Sequence, residues 1–270
     1  MASVIEINDL RELEGYRLVW TALLAETPRA SFFHTFEWVE TYWRHFGEGG
    51  TLRVLVVEAG GKPIGIVPLC VKRERRQFGQ VRVLTYPLDG WGTWYSPVGG
   101  AQAATLTLAM RHIASTRRDW DLIDLPWVDA DGSDRGRTER AITAAGMRCG
   151  TGVSEVTSVV ELQGGWDDYL AGMPSKARCE VRRNERRLHA AGEVEHVRWR
   201  PAPAREGGGE PAWELYNACE DVARRSWQAG LTDGNTLSHR RCRPFLREAH
   251  AAAAKLGMVD MNLLRINGET

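Results

Sequence analysis

The chain carries no surplus of charge. Its 35 Lys and Arg are matched by 35 Asp and Glu, for a formal net charge of zero. That argues against global steering toward nucleic acid or an anionic membrane, so a basic site has to be local. It has little cysteine. Five are scattered (Cys70, Cys149, Cys179, Cys219 and Cys242), odd in number and never spaced C-x-x-C. This speaks against a disulfide framework and against a thiolate zinc centre. None of the seven histidines falls in an H-x-x-x-H or H-E-x-x-H spacing, so no metal is expected. No apolar run approaches the roughly 18 residues of a membrane span. The opening "MASVIEINDLRELEGYR" has no basic segment leading into an apolar one, so no signal peptide is expected and the cytoplasm is the expected location.

What is present is ordinary globular composition, 43% hydrophobic and 26% charged, over 270 residues. That length suits two modest domains of roughly 100–200 residues each. Tryptophan is plentiful at eleven, six of them between Trp20 and Trp120, which points to an aromatic core in the first half.

Hydrophobic periodicity orders the elements. "LVWTALLAE" (18–26) has helical spacing and ends before Pro28. In "SFFHTFEWVETYWRHFG", Phe32, Phe36, Val39, Trp43 and Phe46 form a helical stripe, with Ser31 as N-cap and Gly47 as stop. Two β-rich runs follow at 52–58 and 64–71, joined by the hairpin signal Gly60-Gly61, and Pro68 marks an edge or bulge. "VRVLTYP" is a third strand. Then come a helix (103–117), a short strand "WDLIDLPWV", a helix (137–146) and a strand "SEVTSVVEL". The second half reads as a helical region (164–192), a strand "EVEHVRW", a Pro/Gly-rich loop (201–211), two helices, and a strand ending in Asn267-Gly268. Pro244 belongs in the first turn of the last helix. The fold class is α/β, a mixed sheet of α+β character with flanking helices.

The halves share a pattern. "VVEAGGKP" (56–63) aligns without a gap on "LLRINGET" (263–270). The first continues into a partner strand and the second stops there. The expectation is a first domain over 1–163 and a second unit over 164–270 that lacks its C-terminal portion, leaving its last strand as an edge.

"FFHTFEWVETYWRHFG", "LRVLVVEAGGKPIGIVPLCV" and "WDDYLAGMPSKARCEVRRNERRL" together resemble the CelD-like branch of the GNAT acetyltransferase superfamily, which is related to the tandem-domain Fem-type peptidyltransferases. The most specific part is S-K-x-R-x-x-x-R-R-x-x-R-R-L, from Ser175 to Leu188. The resemblance implies the order β-α-α-β-β-β-α-β-α-β. It also implies acyl transfer to an amine or hydroxyl from acyl-CoA, or from an aminoacyl donor as in the Fem-type enzymes, with work in cell-envelope or polysaccharide metabolism. The donor pyrophosphate in such enzymes rests on a helix start through R/Q-x-x-G-x-G/A. The one partial match, "RQFGQV" (76–81), precedes a strand, and Val81 replaces the last small residue.

Three groups of residues are candidates for the site. The loop "YPLDGWGTWYSP" joins a strand to a helix, where α/β sheets place ligands. Trp91, Trp94 and Tyr95 there can line a cleft for an acyl or sugar acceptor, or cap the core. Asp89 is the first candidate general base and Asp124 the second; either needs its basicity raised by burial. Lys176, Arg178, Arg182, Arg183, Arg186 and Arg187 make the polar arc of the helix "PSKARCEVRRNERRL" almost wholly cationic. That arc is either a solvated face or an anion site for CoA phosphates or a polyanion. Glu37 and Glu40 read as solvent-facing, Ser175 as an N-cap and Cys179 as inert. The acceptor is expected to be a small molecule or glycan, nucleic acid is not an expected partner, and a non-catalytic binding module is the alternative.

Overall fold

In the computed structural model every residue is described except 78, 93, 154–155, 161–162 and 231–236. Among the described residues seven strands form two sheets. The larger contains β1 (Ala2–Ile7), β2 (Thr51–Ala59), β3 (Lys62–Arg76), β4 (Gly79–Thr85) and β5 (Leu122–Ile123), in that spatial order. Pairings β1–β2, β2–β3 and β3–β4 are antiparallel, and β4–β5 is parallel, so the sheet is mixed.

Burial along the strands shows how the sheet is covered. Every residue from 52 to 57 of β2 is buried, and so is every residue from 65 to 71 of β3. A strand with one wet face would alternate, so continuous burial means that both faces are packed. Helices α1 (Leu10–Glu14), α2 (Arg17–Ala25) and α3 (Phe36–Phe46) connect β1 to β2, and α4 (Gln102–Ser115) connects β4 to β5. Helix α4 lies across β1, β2 and β3, with α5 (Arg137–Ala144) against it. The approach is close at Gly65, where a Cβ would stand 2.2 Å from Thr105 Oγ1.

The hairpin reading holds: Gly60 and Gly61 take φ of +60° and +74° between β2 and β3. Pro68 sits where the β3–β4 ladder has not begun, since its first pair is Cys70 with Thr85. Its missing N–H therefore breaks no bond to β4. The aromatic helix starts later than the sequence suggests. Ser31 instead caps a 3₁₀ turn, Phe32–His34, and Thr35 caps α3 by accepting from the Trp38 N–H. The short strand at 120–128 shrinks to β5, two residues long. The strand expected over 154–162 has both ends outside the described residues, and 156–160 between them are not in a strand.

In the second half, α6 (Trp166–Gly172) and α7 (Ser175–Ala191) break at Met173-Pro174. Strands β6 (Val194–Trp199) and β7 (Met261–Ile266) pair antiparallel, and between them lie α8 (Trp213–Arg225) and α9 (Arg243–Lys255), with Pro244 in the first turn of α9. Among the described residues β7 has β6 as its only ladder partner. Asn267 and Gly268 then turn back with φ of +53° and +80°, the same left-handed pair as Gly60-Gly61. Helix α9 packs on α3, and Phe245 and Ala249 of α9 belong to the core of the first half.

Candidate functional site: an aromatic cleft between the halves

The seam between α3 and α9 is built from rings. Positions 38, 42, 45 and 46 fall on one face of α3, and Phe245, fully buried, inserts among them. Its ring lies 5.4 Å from Trp38, 4.9 Å from Phe46 and 4.8 Å from Trp91. Beside this seam is a cavity of about 240 Å³. Phe32 and Phe33 line it from the turn before α3, Trp38 from α3, and Trp91 from the loop after β4. Helix α9 contributes Leu246, Ala249, His250 and Ala253, and Leu237 precedes that helix.

The loop carrying Trp91 leaves the C-terminal end of β4, and three hydrogen bonds fix it. Trp38 Nε1 donates to the Pro87 carbonyl at 2.8 Å, Trp127 Nε1 to the Asp89 carbonyl at 2.8 Å, and the Tyr42 hydroxyl to Asp89 Oδ1 at 2.9 Å. Lys72 Nζ also donates to Asp89 Oδ1, and to the Tyr42 oxygen at 2.7 Å. Asp89 adopts φ of +45°, a conformation that an Asp tolerates better than most residues. Its carboxylate is committed to an ammonium and a phenol, which makes it an anchor for the loop.

The other residues singled out from the sequence separate. Trp91 lines the cavity. Trp94 is 43% exposed at φ of +48° and does not line it. Tyr95 is 1% exposed, stacked 4.8 Å from His34 and 4.6 Å from Tyr86, so it packs in the core. Asp124 is on the surface, ion-paired to Arg76 at 2.9 Å. Among the basic residues, Lys176, Arg182, Arg183, Arg186 and Arg187 are exposed on α7, and Arg183 pairs with Glu180 at 3.2 Å. Arg178 is half-buried and donates to the Ala171 and Met173 carbonyls, both at 3.0 Å, which ties α7 to α6. Arg182, Arg183, Arg186 and Arg187 therefore face open water, and none of the six basic residues lines the cavity. The partial phosphate-loop match at 76–81 lies at the β3–β4 hairpin, with Phe78 outside the described residues, and begins no helix.

His250 was not singled out from the sequence. It is 8% exposed, and its Nε2 is buried with no hydrogen-bond partner. Rings surround it: Tyr216 at 4.6 Å, Trp213 at 5.4 Å and Trp199 at 5.8 Å. Burial, and then the Arg247 charge one turn earlier, lower the pKa of its imidazole below the ordinary value. Arg247 lies over Trp213 and Tyr216 and is held by Glu220 at 3.0 Å, and Glu220 is itself 1% exposed. Trp91 Nε1 is the second buried, unpartnered nitrogen among the lining residues. The available signal was spacing: His250 falls on the apolar stripe of α9 with Leu246, Ala249 and Ala253.

The arrangement is an open apolar cleft suited to an apolar ligand, with the two unpartnered nitrogens buried beneath its lining. Among the described residues no group of three or more His, Cys, Asp or Glu could hold a metal ion, and no helix is long and apolar enough to cross a membrane. No family model, characterised protein or solved structure matches the chain.

Proposed function

We propose that the chain is a GNAT-like acyltransferase that uses an acyl-CoA donor, with a small molecule or glycan of the cell envelope as acceptor. The observation that carries this reading is the order and pairing of the first half. A strand, helices, three antiparallel strands, a helix and a strand parallel to the third of them follow the order implied by the resemblance. The cavity supports it too, because Trp91 reaches it from the loop that leaves the C-terminal end of β4.

The reaction is a direct displacement. The acceptor nitrogen or oxygen attacks the thioester carbonyl, the C–S bond breaks, CoA leaves as the thiolate, and the acceptor proton passes to a base. Such a site works by positioning and proton transfer and needs no covalent enzyme intermediate. Thermal unfolding with acetyl-CoA tests the reading. A melting temperature that rises with ligand concentration is expected; no shift at millimolar acetyl-CoA overturns it.

One observation favours a second reading, a non-catalytic module that binds a polyanion. Among the described residues Lys176, Arg182 and Arg187 have no ion-pair partner, and the exposed face of α7 is cationic along its length. Heparin binding should then weaken steeply with salt and vanish on charge reversal at Arg182, Arg183 and Arg186. No binding at low salt removes this reading.

A further inference from the structure

We propose that the outer edge of β7 is an interface between two copies of the chain, which pair their β7 strands antiparallel about a two-fold axis into one four-stranded sheet. This goes beyond acyl transfer and does not depend on it.

Register fixes which backbone groups are free. The Asn267 N–H donates to the Glu193 carbonyl at 2.8 Å, so position 267 faces β6. Ile266 faces the other way, where it exchanges hydrogen bonds with Glu269 at 2.8 and 3.1 Å. Successive residues of an antiparallel strand alternate in this respect. Positions 265, 263 and 261 therefore bond β6, and the N–H and C=O groups of Leu264 and Asn262 point outward. Among the described residues nothing bonds those four groups. Both residues are exposed, Leu264 at 45%.

Native edges are usually blunted by charge, proline or a bulge. On β6, Glu195, His196 and Arg198 are exposed. β7 carries one charge, Arg265, which is half-buried and paired to Glu195 at 3.4 Å. A sheet of two strands is marginal by itself, and added strands stabilise it.

The free groups select a second copy. With Leu263 opposite Leu263, Leu264 of one copy bonds Asn262 of the other, and Asn262 bonds Leu264. All four groups of each copy are then satisfied by the same two residues, the self-complementarity that a two-fold interface requires. No like charges meet, because Arg265 stands opposite Met261. The pairing ends where the fold ends it: Glu269 already occupies Ile266, and β7 begins at Met261. So short a ladder makes a small, reversible contact.

Sedimentation velocity on the full chain, with hydrogen exchange at two concentrations, tests this. A dimer at about 100 µM and a monomer at about 1 µM are expected for a contact at the small end of the range. The Asn262 and Leu264 amides should exchange severalfold more slowly in the concentrated sample. Asn262→Pro removes an N–H that bonds nothing within the chain, so this variant should keep the fold and stay monomeric. A wild-type monomer at the higher concentration overturns the proposal and leaves the edge to water or to a foreign strand. So does a dimer whose Asn262 and Leu264 amides exchange as fast as in the monomer, or a folded Asn262→Pro protein that dimerises as before.

Discussion

Arg53 is 3% exposed in the middle of β2, where neighbours on both sides are apolar. It remains there because its guanidinium is fully engaged. Nε and Nη2 grip Glu6 at 2.7 and 2.9 Å, and Nη1 reaches Asp119 at 2.9 Å. His112 Nε2 meets the same Glu6 at 2.7 Å. Removing one member of a buried pair leaves the other charge uncompensated. Arg53→Met should therefore cost about 3–5 kcal/mol in equilibrium urea unfolding. Burial pushes the Glu6 carboxyl up, but hydrogen bonds from Arg53, Asn8 and His112 outweigh it and hold the pKa at about 2, against an ordinary 4.5. The unfolded chain then binds more protons between those values. The Glu6 contribution is complete above pH 4.5 and is lost as pH falls toward 2. Buried His34 adds a limb of the same sign, because burial lowers its pKa from 6.5 to about 4. Stability should fall as pH drops from 6.5 to 4, and His34→Gln should flatten that limb while leaving the lower one. Asp89→Asn weakens the anchor of the Trp91 loop and leaves Lys72 short of a counter-charge; about 1–3 kcal/mol should be lost, read the same way.

At the level of elements, much was legible because local chemistry decided it. The left-handed turn at Gly60-Gly61 and the Pro244 start of α9 each follow from one or two residues. What was not legible depended on partners. β1 has a half-buried, irregular pattern and becomes a strand by pairing with β2, from Ala2 opposite Ala59 to Ile7 opposite Val54. The β5 run stops after two residues, with the Asp124 N–H still bonded to the Leu84 carbonyl at 3.0 Å and Pro126 unable to donate. Tyr95 and Trp91 stand four residues apart in one loop, and only packing separates a core ring from a cavity wall. His250 was missed because a histidine on an apolar stripe looks like any core residue until its neighbours are known. Two elements test this picture in opposite directions. Phe245→Ala, which removes the ring joining α9 to α3, should cost about 3–5 kcal/mol. Charge reversal at Arg182, Arg183 and Arg186, on the exposed face of α7, should change stability by no more than about 0.5 kcal/mol.

Over the whole molecule, the second half completes the first through an aromatic seam: Phe245 joins the core of the first half, and the cavity is walled from both. The charge balance leaves α7 as the local cationic surface, and that surface points to water. Scaffold and cleft are what the proposed acyl transfer rests on, and with the partial phosphate-loop match in a hairpin that reading requires the donor to be held by other backbone groups. The claim is therefore tested most directly by calorimetric titration of acetyl-CoA into the intact chain. The account predicts a saturable heat at one site per chain; an absence of heat up to millimolar acetyl-CoA would contradict it.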